Sequence, residues 1–121
     1  MQGRKIEGLV GHHAGLCAED RIAADYERRG HRIVGRRWRG QGGEIDLVAR
    51  GADGLVFIEV KASRTHGRAA QRISRRQIER LYSAASEYLA GEPAGQDTEM
   101  RFDVALMDRA GTIDIIENAF M

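Results

Sequence analysis

A chain of 121 residues holds one cysteine, one proline and two lysines, and its formal net charge is only +1. The single Cys17 excludes an internal disulfide framework and, with no signal-peptide pattern at the start, leads us to expect a reducing, cytoplasmic setting. No apolar run exceeds four residues, as in Leu55 to Ile58, against the ~20 that a membrane-spanning helix needs, so no membrane role is expected. Near-neutrality excludes both a uniformly basic coat and an acidic tail as descriptions of the whole chain. What remains is 42% hydrophobic with 15 glycines, the composition of one turn-rich globular domain over residues 1–121, with 1–11 as an aperiodic arm.

The small net charge is a sum of opposed blocks. Residues 1–43 carry nine basic and five acidic side chains, 44–61 two and four, 62–82 six and one, and 83–121 two and eight. Seventeen of the basic residues are Arg, whose planar fork suits phosphate; Lys, a compact charge whose pKa shifts readily, occurs only as Lys5 and Lys61. Lys61 therefore calls for a reason.

Apolar spacing predicts a helix from about His13 to Arg29, with Leu16, Ile22, Ala23 and Tyr26 on one face and Gly30 ending it. Strands are expected at His31–Arg39, Glu44–Arg50 and Leu55–Lys61, the last two forming a hairpin about Gly51–Gly54. A polar basic loop follows at 62–72, then a helix from Ser74 to Leu89, a loop over Gly91–Thr98, and strands near Arg101–Met107 and Thr112–Glu117. The order α, β, β, β, α, β, β predicts an α/β (α+β) fold with one central mixed sheet flanked by helices.

Three acids sit where a solvated carboxylate is costly. Glu19 falls among Ile22, Ala23 and Tyr26 on the first helix, where it either pairs with an Arg at the helix edge or faces a cation. Glu59 and Lys61 point the same way from an otherwise apolar strand, and a four-residue hairpin loop puts Asp46 opposite Glu59. Two carboxylates there repel, which a divalent cation relieves and Lys61 partly offsets. Hard oxygen ligands without His or Cys suit Mg²⁺ or Mn²⁺, and such a site can polarise a phosphodiester while the ammonium orients water or stabilises the developing charge. The opposing reading is a solvated hairpin end with an ordinary Glu/Lys pair.

At these residues the chain resembles the PD-(D/E)XK nuclease superfamily, and within it the YraN-like family of small bacterial proteins related to Holliday junction resolvases. The resemblance spans nearly the whole chain. It is carried by Gly15, Ala18-Glu19 and Ala23, by Gly43-Glu44-Ile45-Asp46-Leu47, and by Val56-Phe57-Ile58-Glu59-Val60-Lys61. Arg80-Leu81, Arg101-Phe102-Asp103-Val104 and Ala119-Phe120 extend it. It implies a restriction-endonuclease-like αβββαβ core in which Asp46, Glu59 and the Val60 carbonyl bind metal, Lys61 is the catalytic lysine and Glu19 the helix-borne acid. Ile45 replaces the superfamily's proline, and Gln77 stands where many relatives carry Lys. Gln77 either faces the metals as a catalytic polar group or closes a capping box with Ser74.

Two arginine groups offer a nucleic-acid surface. Arg36, Arg37 and Arg39 flank Trp38, which either stacks on a base or packs into the sheet. Arg64, Arg68, Arg72, Arg76 and Arg80 follow Lys61, the last three as a helical stripe. The adjacent His12 and His13 do not share a helix face, and Asp103 is expected in a structural ion pair with an Arg. The expectation is a Mg²⁺- or Mn²⁺-dependent endonuclease hydrolysing DNA in preference to RNA, with branched or single-stranded DNA among the candidates. A homodimer is among the assemblies open to it. The alternative is a non-catalytic adaptor that keeps the fold and binds nucleic acid or protein.

Overall fold

Ala18, Ile22, Ala23 and Tyr26 recur at helical spacing, and all four are buried along one face of a helix over residues 18–28, α1. Gly30, at φ +93°, then turns the chain into the first strand, a conformation that costs a residue without a Cβ little. These features belong to a computed structural model, which describes residues 18–62 and 73–120. The arm expected at 1–11, His12, His13, Cys17, and the arginines Arg64, Arg68 and Arg72 lie outside the described residues.

Five strands follow the expected order: β1 Arg32–Arg39, β2 Glu44–Gly51, β3 Gly54–Ala62, β4 Met100–Met107 and β5 Ile113–Ile116. Among the described residues, the helix α2 Arg75–Leu89 lies between β3 and β4, and a 3₁₀ turn at Gly95–Asp97 breaks the loop behind it. The sheet runs β1-β2-β3-β4-β5, antiparallel except for β3 and β4, which are parallel. A parallel pair needs a crossover, and α2 supplies it. The hairpin is tighter than expected: Gly51 pairs with Gly54 across the two residues Ala52 and Asp53.

Alternation along the central strands sorts their side chains onto two faces. Phe57 and Leu55 join Ile45, Val48 and the buried α2 residues Leu81, Ala84, Ala85 and Leu89. Val56 and Ile58 join Leu47, Ala49 and the α1 residues Ile22, Ala23 and Tyr26 on the other side. Strands apolar on both faces are central ones, and here α2 packs on one face and α1 on the other. β1 departs from regular alternation at a register shift between Ile33 and Gly35 and at Arg37, whose φ is +49°. Among the described residues, no helix is long and apolar enough to cross a membrane.

Candidate active site

The β2–β3 ladder ends at Leu47 and Ile58, while β3 continues its parallel pairing with β4 as far as Ala62 and Met107. The sheet forks at that point. The next N–H of β3, that of Val60, donates to Asp46 Oδ2 at 2.8 Å, so a side chain takes over where the ladder stops. The register holding Leu47 opposite Ile58 brings Asp46 level with Glu59, as the alternation argument required.

Glu59 is 8% exposed and sits in the fork on the α2 side. Its Oε2 accepts a hydrogen bond from Gln77 Nε2 and lies 3.5 Å from Lys61 Nζ. Burial, and then the charge of Asp46 and a hydrogen bond with it, push the Glu59 carboxyl up to about 8, against a smaller downward pull from Lys61. Two carboxylates are thus held together in a low-dielectric position where they cannot both ionise cheaply. That donor set fits a hard divalent cation, which removes the repulsion.

Gln77 makes the backbone half of the capping box and not the side-chain half. Its backbone N–H donates to Ser74 Oγ at 3.1 Å, forming the helix cap, while its side chain turns to Glu59 rather than back to Ser74. A cleft of about 450 Å³ opens between the strand ends and α2, with Glu44, Asp46 and Glu59 on one wall and Gln77, Arg76 and Arg80 on the other. Neither Arg76 nor Arg80 pairs with a carboxylate among the described residues.

Glu19 does not join this group. Its carboxylate accepts from Arg37 Nε at 3.2 Å, which is the helix-edge pairing, and no three acids, histidines or cysteines among the described residues cluster as a metal site. The β1 arginines expected to offer a nucleic-acid surface each lie on a carboxylate. Arg36 pairs with Asp20 at 2.8 Å, Arg37 with Glu19, and Arg39 with Glu44 at 3.0 Å. Trp38 packs edge-on against Tyr88, ring centroids 5.4 Å apart, so it is a sheet-packing residue rather than an open stacking platform.

Two polar arrangements were missed by sequence reasoning. The buried Asp103 does pair with an arginine, Arg101 at 3.0 Å, but it also accepts the Tyr26 hydroxyl at 2.6 Å and the Asn118 N–H at 3.2 Å. Burial and then that bond raise the Tyr26 phenol well above its ordinary pKa. Glu87 meanwhile accepts the N–H groups of Gln41 and Gly42 at 2.9 and 2.8 Å. The density of glycine at 40–43 was the one available signal for such a close approach.

Residues 18–107 match the model of the uncharacterised protein family UPF0102. A UPF0102 protein of Cereibacter sphaeroides (strain ATCC 17025) is 58% identical over 115 residues, 95% of this chain and 98% of the relative. One from Ruegeria pomeroyi is 54% identical over 120 residues, 99% of this chain and 98% of the relative. The solved structure of Pyrococcus furiosus SfsA in complex with Ca²⁺ aligns with 92% of this chain and 63% of that one, at 17% identity and a TM-score of 0.28. With the family model covering both the fork and the cleft, the chain belongs to the UPF0102 family.

Proposed function

We propose that the protein is a Mg²⁺- or Mn²⁺-dependent endonuclease of the PD-(D/E)XK type that hydrolyses DNA phosphodiester bonds. The observation that carries this reading is the pairing of Asp46 with Glu59 at the fork, beside Lys61 and facing Arg76 and Arg80 across one cleft. Asp46 and Glu59 would hold the ion, with the Val60 carbonyl as the further ligand that the superfamily resemblance implies. The ion supplies Lewis acidity at the phosphate and lowers the pKa of a coordinated water.

The chain's own groups divide the remaining work. Gln77 fixes the Glu59 carboxylate through its side-chain N–H. Lys61, on the same face two residues on, presents its ammonium to the attacking water or to the charge that develops on the phosphoryl oxygens. Arg76 and Arg80 take the non-bridging oxygens of the backbone entering the cleft. Glu19 has no part in this account because Arg37 holds it.

The test is cleavage of labelled linear, flapped, four-way and single-stranded DNA with Mg²⁺ or Mn²⁺. We expect products that vanish with EDTA and in Lys61→Ala. Products that survive both treatments defeat the mechanism. Salt-sensitive binding with no product under any metal identifies the adaptor instead.

A further inference from the structure

The cleft has two walls, and α2 ties itself to the opposite wall at two places. One tie is Gln77 on Glu59. The other lies ten residues further along the helix, where the Glu87 carboxylate accepts the successive N–H groups of Gln41 and Gly42, one on each oxygen. Those amides belong to the loop 40–43 that leads directly into Glu44 and Asp46.

That loop is pressed against the helix. A Cβ on Gly40 would lie 2.6 Å from Glu87 Oε2, one on Gly43 3.0 Å from the Arg80 carbonyl oxygen, and one on Gly42 would strike the Ser83 hydroxyl. Gly40 N–H also closes the loop onto the Gly43 carbonyl at 2.9 Å. The glycines permit the approach, and Glu87 accepts two of the loop's amides. The two backbone bonds hold the Glu87 carboxyl below its ordinary pKa.

We infer that Glu87 is a substrate-positioning residue: by clamping loop 40–43 it sets the gap between Arg76 and Arg80 and the facing wall, and so the fit of a nucleic-acid backbone in the cleft. This rests on the proposed function for the site. Glu87 does not set the metal ligands themselves, because Asp46 is flanked by Ile45 and Leu47, both fully buried and independently anchored. Loss of the clamp therefore acts on nucleic-acid binding and spares metal affinity.

The experiment measures binding of a labelled DNA duplex and a labelled four-way DNA in Ca²⁺, together with Mn²⁺ affinity, for the full chain and its Glu87→Ala, Glu87→Asp and Glu87→Gln variants. Positioning predicts DNA binding weakened roughly fivefold or more in Glu87→Ala and in the shorter Glu87→Asp. Glu87→Gln, which keeps an oxygen for one amide, recovers most of the loss, and Mn²⁺ affinity stays within about twofold throughout. Simple removal of negative charge near a polyanion predicts the reverse, tighter binding in the Ala and Gln variants and no change in Asp.

DNA affinity equal to or above that of the parent in both Glu87→Ala and Glu87→Asp overturns the inference. If Glu87→Ala does not fold, judged by circular dichroism, the Asp and Gln variants decide between the same two patterns. A parent protein that binds neither DNA defeats the nucleic-acid reading itself and this inference with it, whereas a parent that binds while its variants match it defeats the inference alone.

Discussion

Gln77 serves two partners at once: its backbone N–H is capped by Ser74 Oγ at 3.1 Å, and its side-chain N–H holds Glu59. One residue thereby links the start of α2 to a carboxylate of the fork, and the two functions separate by mutation. Ser74→Ala removes only the cap and should cost about 1 kcal/mol of stability, read from urea denaturation, without disturbing cleavage by the correctly folded protein. Gln77→Ala keeps the backbone cap, so its midpoint should move little. On the proposed function, its DNA cleavage rate should fall by roughly tenfold, as expected where the partner that orients a metal ligand is lost. Equal losses of stability in the two variants contradict this division.

Glu59 makes the metal-free protein sensitive to pH in a defined direction. The folded state holds this proton up to about pH 8, whereas the ordinary value is 4.5. The folded chain thus binds more protons than the unfolded one between those values, and stability contributed by Glu59 declines as pH rises from about 4.5 to 8. On the proposed function a divalent ion would take the deprotonated carboxylate, so Mn²⁺ affinity should climb over the same interval, by up to about tenfold per pH unit, and level off above it. Calorimetry at pH 7 in buffers of different ionisation enthalpy should register a proton released on binding. Asp46→Asn removes the neighbouring charge and should flatten the stability profile. Affinity independent of pH from 6 to 8 contradicts the assignment of Glu59 as a ligand.

This relation between Asp46 and Glu59 was legible before the structure because strand alternation constrains parity more than loop length. A four-residue loop over 51–54 and the observed two-residue turn between paired Gly51 and Gly54 both set Asp46 level with Glu59. The same periodicity located Ile22, Ala23 and Tyr26 on one face of α1, and Ser74 announced the start of α2. What stayed hidden depends on where the ends of long side chains arrive. Glu19 occupies the predicted edge of α1, yet Arg37, placed by an unusual φ of +49°, decides its partner. Tyr26 and Asp103 are 77 residues apart in sequence, and only the stacking of α1 on β4 brings them together.

Arginine number proved a poor guide to available positive charge. Arg36 and Arg37 each sit on a carboxylate of α1, whereas Arg76 and Arg80 face the cleft without such a partner among the described residues. In fluorescence anisotropy against DNA over a range of NaCl concentrations, Arg76→Ala and Arg80→Ala should each weaken binding and reduce the salt slope by about one. Arg36→Ala should leave both quantities nearly unchanged. A larger effect from Arg36 than from Arg80 places the backbone on the β1 side instead.

The Tyr26–Asp103 bond tests whether a polar group buried beside the fork, but on the α1 face of the sheet, contributes to the fold alone. Asp103 is fully buried and is satisfied by the Tyr26 hydroxyl, the Arg101 guanidinium and the Asn118 N–H. Tyr26→Phe deletes one donor while preserving the ring that packs among Ile22, Leu47 and Ala105. The carboxylate then loses its shortest bond in a place water does not reach, which should cost about 1–3 kcal/mol in urea denaturation. Because Asp103 pairs with Ile58 across the β3–β4 ladder, one position before Glu59, the loss should appear as destabilisation with Mn²⁺ affinity retained. A variant that keeps its full stability but loses metal binding makes Tyr26 and Asp103 part of the site rather than of its support.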